Sequence, residues 1–122
     1  MNGPSFIQHK GHRIILLDFH GIHDPEAGIP FVEAAGRFVQ ALPADGSALC
    51  LTDVQDTKYD RKVVDAFKVM SKGNGPHVKV SAVVADSAIH RAAISMIALV
   101  TRRKLVVFET REQALEWLVK QA

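Results

Sequence analysis

The sequence predicts an α/β domain with a mostly parallel sheet, and three observations carry that reading. Short apolar runs alternate along the chain with longer amphipathic stretches of helical period. Gly, Pro or a capping residue marks most of the switches between the two periods. The short runs are apolar without alternation, as in Ile14-Ile15-Leu16-Leu17, which is the pattern of strands covered on both faces. Strands that alternate with helices need crossover connections, so most neighbours are parallel. The expectation is about five strands and four helices, with the pairing mixed at one edge, forming a single domain over residues 1–122.

Taken in order, Phe6 to His9 and Arg13 to His20 read as two strands joined by Lys10-Gly11-His12, the first an edge strand. Asp24-Pro25 opens a helix, Asp as cap and Pro in the first turn, with Pro30 as the alternative start of its regular part. Phe31, Ala35, Phe38 and Leu42 then recur at helical spacing, with Glu33, Arg37 and Gln40 on the other side, until Pro43. Ala48-Leu49-Cys50-Leu51 is a buried strand that runs out into Thr52-Asp53-Val54. Asp60 caps the next helix, flanked by Tyr59 and Val64 as a hydrophobic staple, and Gly73-Asn74-Gly75-Pro76 stops it. The strand Val78 to Ala85 follows, then a helix opened by Asp86 or Ser87 and running to about Thr101, then the strand Leu105 to Phe108. Thr110 with Gln113 three residues on makes a capping box for a last helix, whose Ala114, Leu115, Leu118 and Trp117 dock it.

Composition narrows the function. With 48% apolar residues and a net charge of +2, the chain is not an intrinsically disordered one. Fifteen Lys and Arg against thirteen Asp and Glu leave too small an excess for a nucleic-acid footprint. The single cysteine, Cys50, allows neither an internal disulfide nor a thiolate-only zinc site, and a reducing, cytoplasmic setting fits it. The start has no signal-peptide pattern. The longest nearly apolar run, Ala92 to Val100, is far short of the ~20 residues that cross a bilayer.

In open α/β sheets, ligands gather where the carboxyl ends of strands lead into helix N-termini. Here that edge holds His20 to Asp24, Thr52 to Asp60, Asp86-Ser87 with His90 one turn on, and Glu109-Thr110. Caps and turns make such edges polar in any case. His20-x-x-His23-Asp24 follows a strand through a Gly turn, so its spacing does not build a metal site, and no metal or other cofactor is expected. No G-x-S-x-G elbow or phosphate-binding loop is present, and Ser81 and Cys50 read as packing residues inside strands. The reading is therefore not an enzyme.

The helix from Ser87 to Thr101 is the least ordinary element. On a helical wheel Ile89, Ala92, Ala93, Met96, Ile97, Leu99 and Val100 cover about half the circumference, and Ile94 falls among His90, Arg91, Ser95 and Thr101. Followed by Arg102-Arg103-Lys104, an off-stripe Ile94 implies an apolar contact surface edged with positive charge. The candidates for ligand or partner contact are His20, Asp53, Thr57, Tyr59, Asp60, His90 and Ile94.

Nearly the whole chain resembles the SpoIIAA-like family of the STAS superfamily, whose fold is shared with the CRAL-TRIO lipid-binding domains. The similarity rests on the stretches from Ile14 to Gly21, Cys50 to Val54, Pro76 to Val84 and Val107 to Leu118, in that order. It implies a non-enzymatic binding or regulatory module for a small hydrophobic or amphiphilic ligand, a peripheral membrane surface, or a protein partner, a homodimer included. The alternative it implies is a partner-switching regulator of the anti-sigma-factor-antagonist type, docking through the helix from Asp60 to Lys72. Members of that type carry a phosphorylatable Ser after the strand that here ends in Asp53. This chain has Thr57-Lys58-Tyr59-Asp60 there, and Asp60 brings a permanent charge in place of a switchable one.

Overall fold

A computed structural model of the chain describes residues 2–122. Five strands form one sheet in sequence order: β1 (Gly3–His9), β2 (His12–Asp18), β3 (Ala48–Asp53), β4 (Val78–Val84) and β5 (Leu105–Phe108). β1 is antiparallel to β2 and every later neighbour is parallel, so the sheet is mixed only at its β1 edge. The helices are α1 (Pro25–Gln40), α2 (Arg61–Asn74), α3 (Ala88–Thr101) and α4 (Arg111–Gln121).

A parallel crossover is right-handed, and strands added always on the same side place successive crossover helices on one face. α1, α2 and α3 accordingly cover one face of the sheet, and α4 covers the other. Period-two alternation sorts the apolar runs between the two layers. Ile14, Leu16, Leu49, Leu51, Ala82 and Val84 point toward Ala114 and Leu118 of α4. Ile15, Leu17, Cys50 and Val83 point to Val32, Ala35 and Val39 of α1, Met70 of α2 and Ile94 of α3. Trp117 packs against the α4 layer with its ring 5.5 Å from that of Phe108.

Local chemistry sets the boundaries. Lys10 and Gly11 both have positive φ, as a two-residue hairpin turn of the I′ class requires, so His12 belongs to β2 and not to the turn. β1 starts at Gly3, ahead of its apolar part, because backbone pairing with β2 does not depend on apolar side chains. Asp24 caps α1 with Pro25 at its start, and Pro30 lies inside the helix. Asp60, Ser87 and Thr110 each accept a backbone N–H three residues on, capping α2, α3 and α4. The capping box of α4 is half-formed, since Gln113 takes the N–H of Glu109 in place of that of Thr110. α2 does not end in a left-handed glycine. Gly75 has φ −48°, and a 3-10 turn over Gly75–His77 carries the chain into β4.

The wheel projection of α3 is corrected by the structure. Of its fourteen residues only Ile94 and Ile97 are buried, whereas Ile89, Leu99 and Val100 are 71%, 81% and 60% exposed. Ile94 is thus not part of an outward contact surface. The helix carries apolar residues on most sides, so their majority does not define the buried face. Polar fasteners decide it: His90, Ile94, Ile97 and Thr101, spaced four, three and four, form the inward stripe. His90 bonds to the loop after β3, and the Thr101 hydroxyl lies 3.4 Å from that of Ser71 on α2.

Candidate functional site

A cavity of about 90 Å³ lies between the sheet and the helices α2 and α3. Water needs roughly 10–15 Å³ on this scale, so the space suits a slender chain better than a bulky ring system. Its walls are apolar: Leu17, Phe19, Cys50 and Val83 from the sheet, Val63, Phe67 and Met70 from α2, and Ala93, Ile94 and Ile97 from α3. Burial pushes the Cys50 thiol up to about 11, against weaker opposing effects of Thr52 and Arg103.

Polar groups close the cavity at its two ends. The first end is the strand-to-helix edge, where Thr57, Lys58, Tyr59 and His90 line it. His90 Nε2 is 2.9 Å from the carbonyl of Thr57 and 3.0 Å from its hydroxyl, which donates to the Val54 carbonyl at 2.8 Å. Both Thr57 oxygens facing the ring can therefore only accept, which assigns the proton to Nε2. Nδ1 then accepts from the Ser87 hydroxyl. The ring of Tyr59 stands edge-on to His90 at 5.2 Å, and its hydroxyl donates to the Ile89 carbonyl at 3.1 Å. With both ring nitrogens engaged, His90 ties the start of α3 to the β3–α2 loop.

The second end is built by Ser71, Asn74, Ser81 and Arg103. Arg103 donates through Nη1 to the Ser71 carbonyl at 2.5 Å and through Nη2 to the Ser81 hydroxyl at 2.9 Å. Burial lowers its pKa. It is brought there by the end of α3: Arg102 turns left-handed at φ 55°, the Arg103 N–H bonds back to the Ala98 carbonyl at 3.0 Å, and that of Arg102 reaches Leu99 at 3.4 Å. These two bonds are the Schellman pair. The side chain passes under Gly75, where a Cβ would stand 3.3 Å from Arg103 Cδ.

Of the residues singled out from sequence, Thr57, Tyr59, His90 and Ile94 line this one cavity. Asp60 does not; it caps α2, with the Val63 N–H 2.9 Å from its Oδ1. His20 and Asp53 lie on the other side of the sheet. Asp53 is fully buried, accepts from Arg111 Nε at 2.6 Å and from the Gln55 N–H at 2.9 Å, and has His20 Nδ1 at 3.9 Å. Arg111 also pairs with Asp18 at 3.0 Å. Burial pulls the Arg111 guanidinium down, but the bond and charge of Asp53, with Asp18 adding, outweigh it and leave its pKa raised. Asp18 and Asp53 are register partners, so this cluster clamps β2, β3 and α4 together.

Ser71 was not singled out, Arg103 reads in sequence only as part of the outward positive edge after α3, and Ser81, which reads as a packing residue, also accepts from a guanidinium. The sequence signal for Arg103 is a run of three basic residues after a helix, which reads as an outward charged edge, whereas the structure turns Arg103 inward to Ser71 and Ser81. Among the described residues, no group of three or more His, Cys, Asp or Glu side chains converges as a metal site does. No helix there is long and apolar enough to cross a membrane.

Comparison with known proteins gives two findings. A family model described as SpoIIAA-like matches residues 7–119. The fold is similar to the crystal structure of an uncharacterized protein from the DUF3478 family, with a SpoIIAA-like fold, from Shewanella loihica PV-4. The TM-score is 0.64 at 16% identity, over 97% of this chain and 95% of that one. No curated protein sequence matches the chain.

Proposed function

The chain belongs to the SpoIIAA-like family, and given that fold we propose that it is a non-catalytic binding module whose cavity takes a small amphiphilic ligand. The observation that carries this reading is the cavity itself, apolar along its length and polar at each end. Preformed apolar clefts with a few oriented polar groups are the usual form of a ligand site. Catalysis has less support. His90 has both ring nitrogens committed to neighbours, and Cys50 is a buried thiol whose raised pKa keeps it protonated at neutral pH.

The probe for this reading is 1-decanol, a slender neutral amphiphile. Saturable, one-to-one binding by calorimetry, with crosspeaks of Ala93, Ile94 and Phe67 shifting in NMR, is the expected result. No binding, or shifts confined to outward residues of α3, overturns the cavity reading.

A second reading has its own observation, the outward stripe of Ile89, Met96, Leu99 and Val100 on α3, beside the exposed Arg102 and Lys104. It favours docking of a protein partner or an anionic surface. Sedimentation with anionic and neutral vesicles at low and high salt tests the membrane version; Leu99→Glu is expected to abolish any cosedimentation without changing the melt.

A further inference from the structure

The cavity's two ends differ in one respect. At the Thr57 end the polar groups of Thr57, Tyr59 and His90 are hydrogen-bonded within the fold, and Lys58, which also lines this end, is exposed to solvent. At the other end stands a guanidinium. None of the ion pairs among the described residues includes Arg103. Its two partners, the Ser71 carbonyl and the Ser81 hydroxyl, are neutral, and together they leave N–H donors of the planar fork unused. Arg103 is half-buried, and a cation partly drawn out of water beside an apolar wall gains from a partner charge that offsets its desolvation.

The carbonyl at the end of α2 supplies part of that compensation, as helix C-termini do for cations. It does not explain why the fork lines the cavity, because an exposed arginine could reach the same carbonyl from solvent. Nor does it explain the accommodation made for the side chain, in which Gly75 leaves room for the stem and Ser81 offers the only hydroxyl of β4 to the fork.

We infer that Arg103 is the anchor for the carboxylate head of an anionic amphiphile whose unbranched tail lies along Cys50, Val83, Ile94 and Phe67. This deepens the binding reading above and rests on it. A single arginine matches a carboxylate in charge, and its fork matches the two oxygens in geometry. The tail then runs from the Arg103 end toward the polar cluster at Thr57, where the cation present, Lys58, is exposed and keeps its charge in water.

The test compares decanoate with 1-decanol, which share a tail and differ in the head, by calorimetry on the wild type and on Arg103→Met. Wild type is expected to bind decanoate about tenfold or more tightly than decanol. Arg103→Met is expected to bind the two probes about equally, whatever its absolute affinity for them. Because Arg103 also clamps α2, the second readout is the carboxyl carbon of 13C-labelled decanoate, followed by NMR against pH on the wild type. Its titration is expected to move to lower pH on the protein than free in solution, which a merely structural arginine would not cause. Equal wild-type affinities for the two probes, or a bound carboxyl that titrates at or above its free value, overturn the anchor and leave the cavity reading standing. Failure of both probes to bind overturns the cavity reading and the anchor with it.

Discussion

The two faces of the sheet are built from the same β-branched and aliphatic residues, taken alternately from the same strands, and they finish differently. One helix, α4, closes its face with a contiguous cluster in which Ile14, Leu51, Ala82, Val84, Ala114 and Leu118 have no exposure. Three helices cover the other face and still leave a cavity of about 90 Å³. Coverage is therefore not what decides packing. α4 is pinned directly to the strands and the β1–β2 turn, through Arg111 to Asp18 and Asp53 and through Glu116 to His9 and Lys10, whereas α3 is tied by His90 to the β3–α2 loop and, just past its end, by Arg103 to α2 as well as to β4. Polar bonds to the strands draw a helix onto the sheet, while bonds to a neighbouring loop and helix leave room beneath it, and the cavity lies between the two anchor points of α3.

The largest effect expected from this contrast is at Leu118. Truncation to alanine empties a space that the surrounding residues of α4 and three strands cannot refill, at a cost of about 2 to 5 kcal/mol. Ile94→Ala removes a comparable side chain beside existing empty space and is expected to cost near the lower end of that range. Urea denaturation of both variants decides it. Equal losses would mean that the cavity face is packed as tightly as the other.

Cys50 reports the polarity of the cavity wall. Its thiol is pushed from about 9 up to about 11 by burial. On unfolding it returns to the lower value, so at alkaline pH the unfolded chain gives up this proton first and binds fewer protons than the native one. Stability then falls as pH rises. The contribution is intact below pH 9 and is lost by pH 11, a drop of about 2 to 3 kcal/mol. Lys and Tyr groups titrate in the same window, so the measurement is the difference in alkaline slope between the wild type and Cys50→Ala. Identical slopes would show a wet wall, and with it a cavity face less apolar than its lining residues indicate.

The same contrast explains what could be read from the sequence. Strands, helices and caps were legible because each depends on residues close in the chain, as at Asp24, Asp60 and Thr110. Thr57, Tyr59, His90 and Ile94 were singled out and line one cavity, three of them placed by the rule that ligands gather at strand ends. The orientation of α3 was not legible. It is set by bonds from His90 and Thr101 to residues about thirty positions away, and a helix apolar on most sides offers no local tie-breaker. Arg103 and the Asp53–Arg111 pair are long-range in the same sense, at 22 residues to Ser81 and 58 to Asp53. A charged side chain that turns inward looks, in sequence, like one that turns out.

The smallest effects give the sharpest separation of the two faces, because one substitution can be made on each. Ala82 on β4 is fully buried against α4, and Ala93 on α3 lines the cavity. A leucine at Ala82 inserts methylenes into a filled layer, forcing side chains off their rotamers or α4 away from the sheet, and is expected to destabilise by about 1 to 3 kcal/mol. A leucine at Ala93 has empty space in front of it. The gain from filling that space offsets the ordering of the longer side chain, so stability is expected to hold or to rise by up to about 1 kcal/mol. The same side chain occupies volume that a ligand tail needs, and decanol affinity is expected to fall at least tenfold. Thermal melts and calorimetry on the two variants measure both quantities. If Ala93→Leu is as damaging as Ala82→Leu, the space beneath α3 is already filled in solution by closure of the helix. If it is harmless and decanol still binds undiminished, the ligand lies elsewhere than in the cavity.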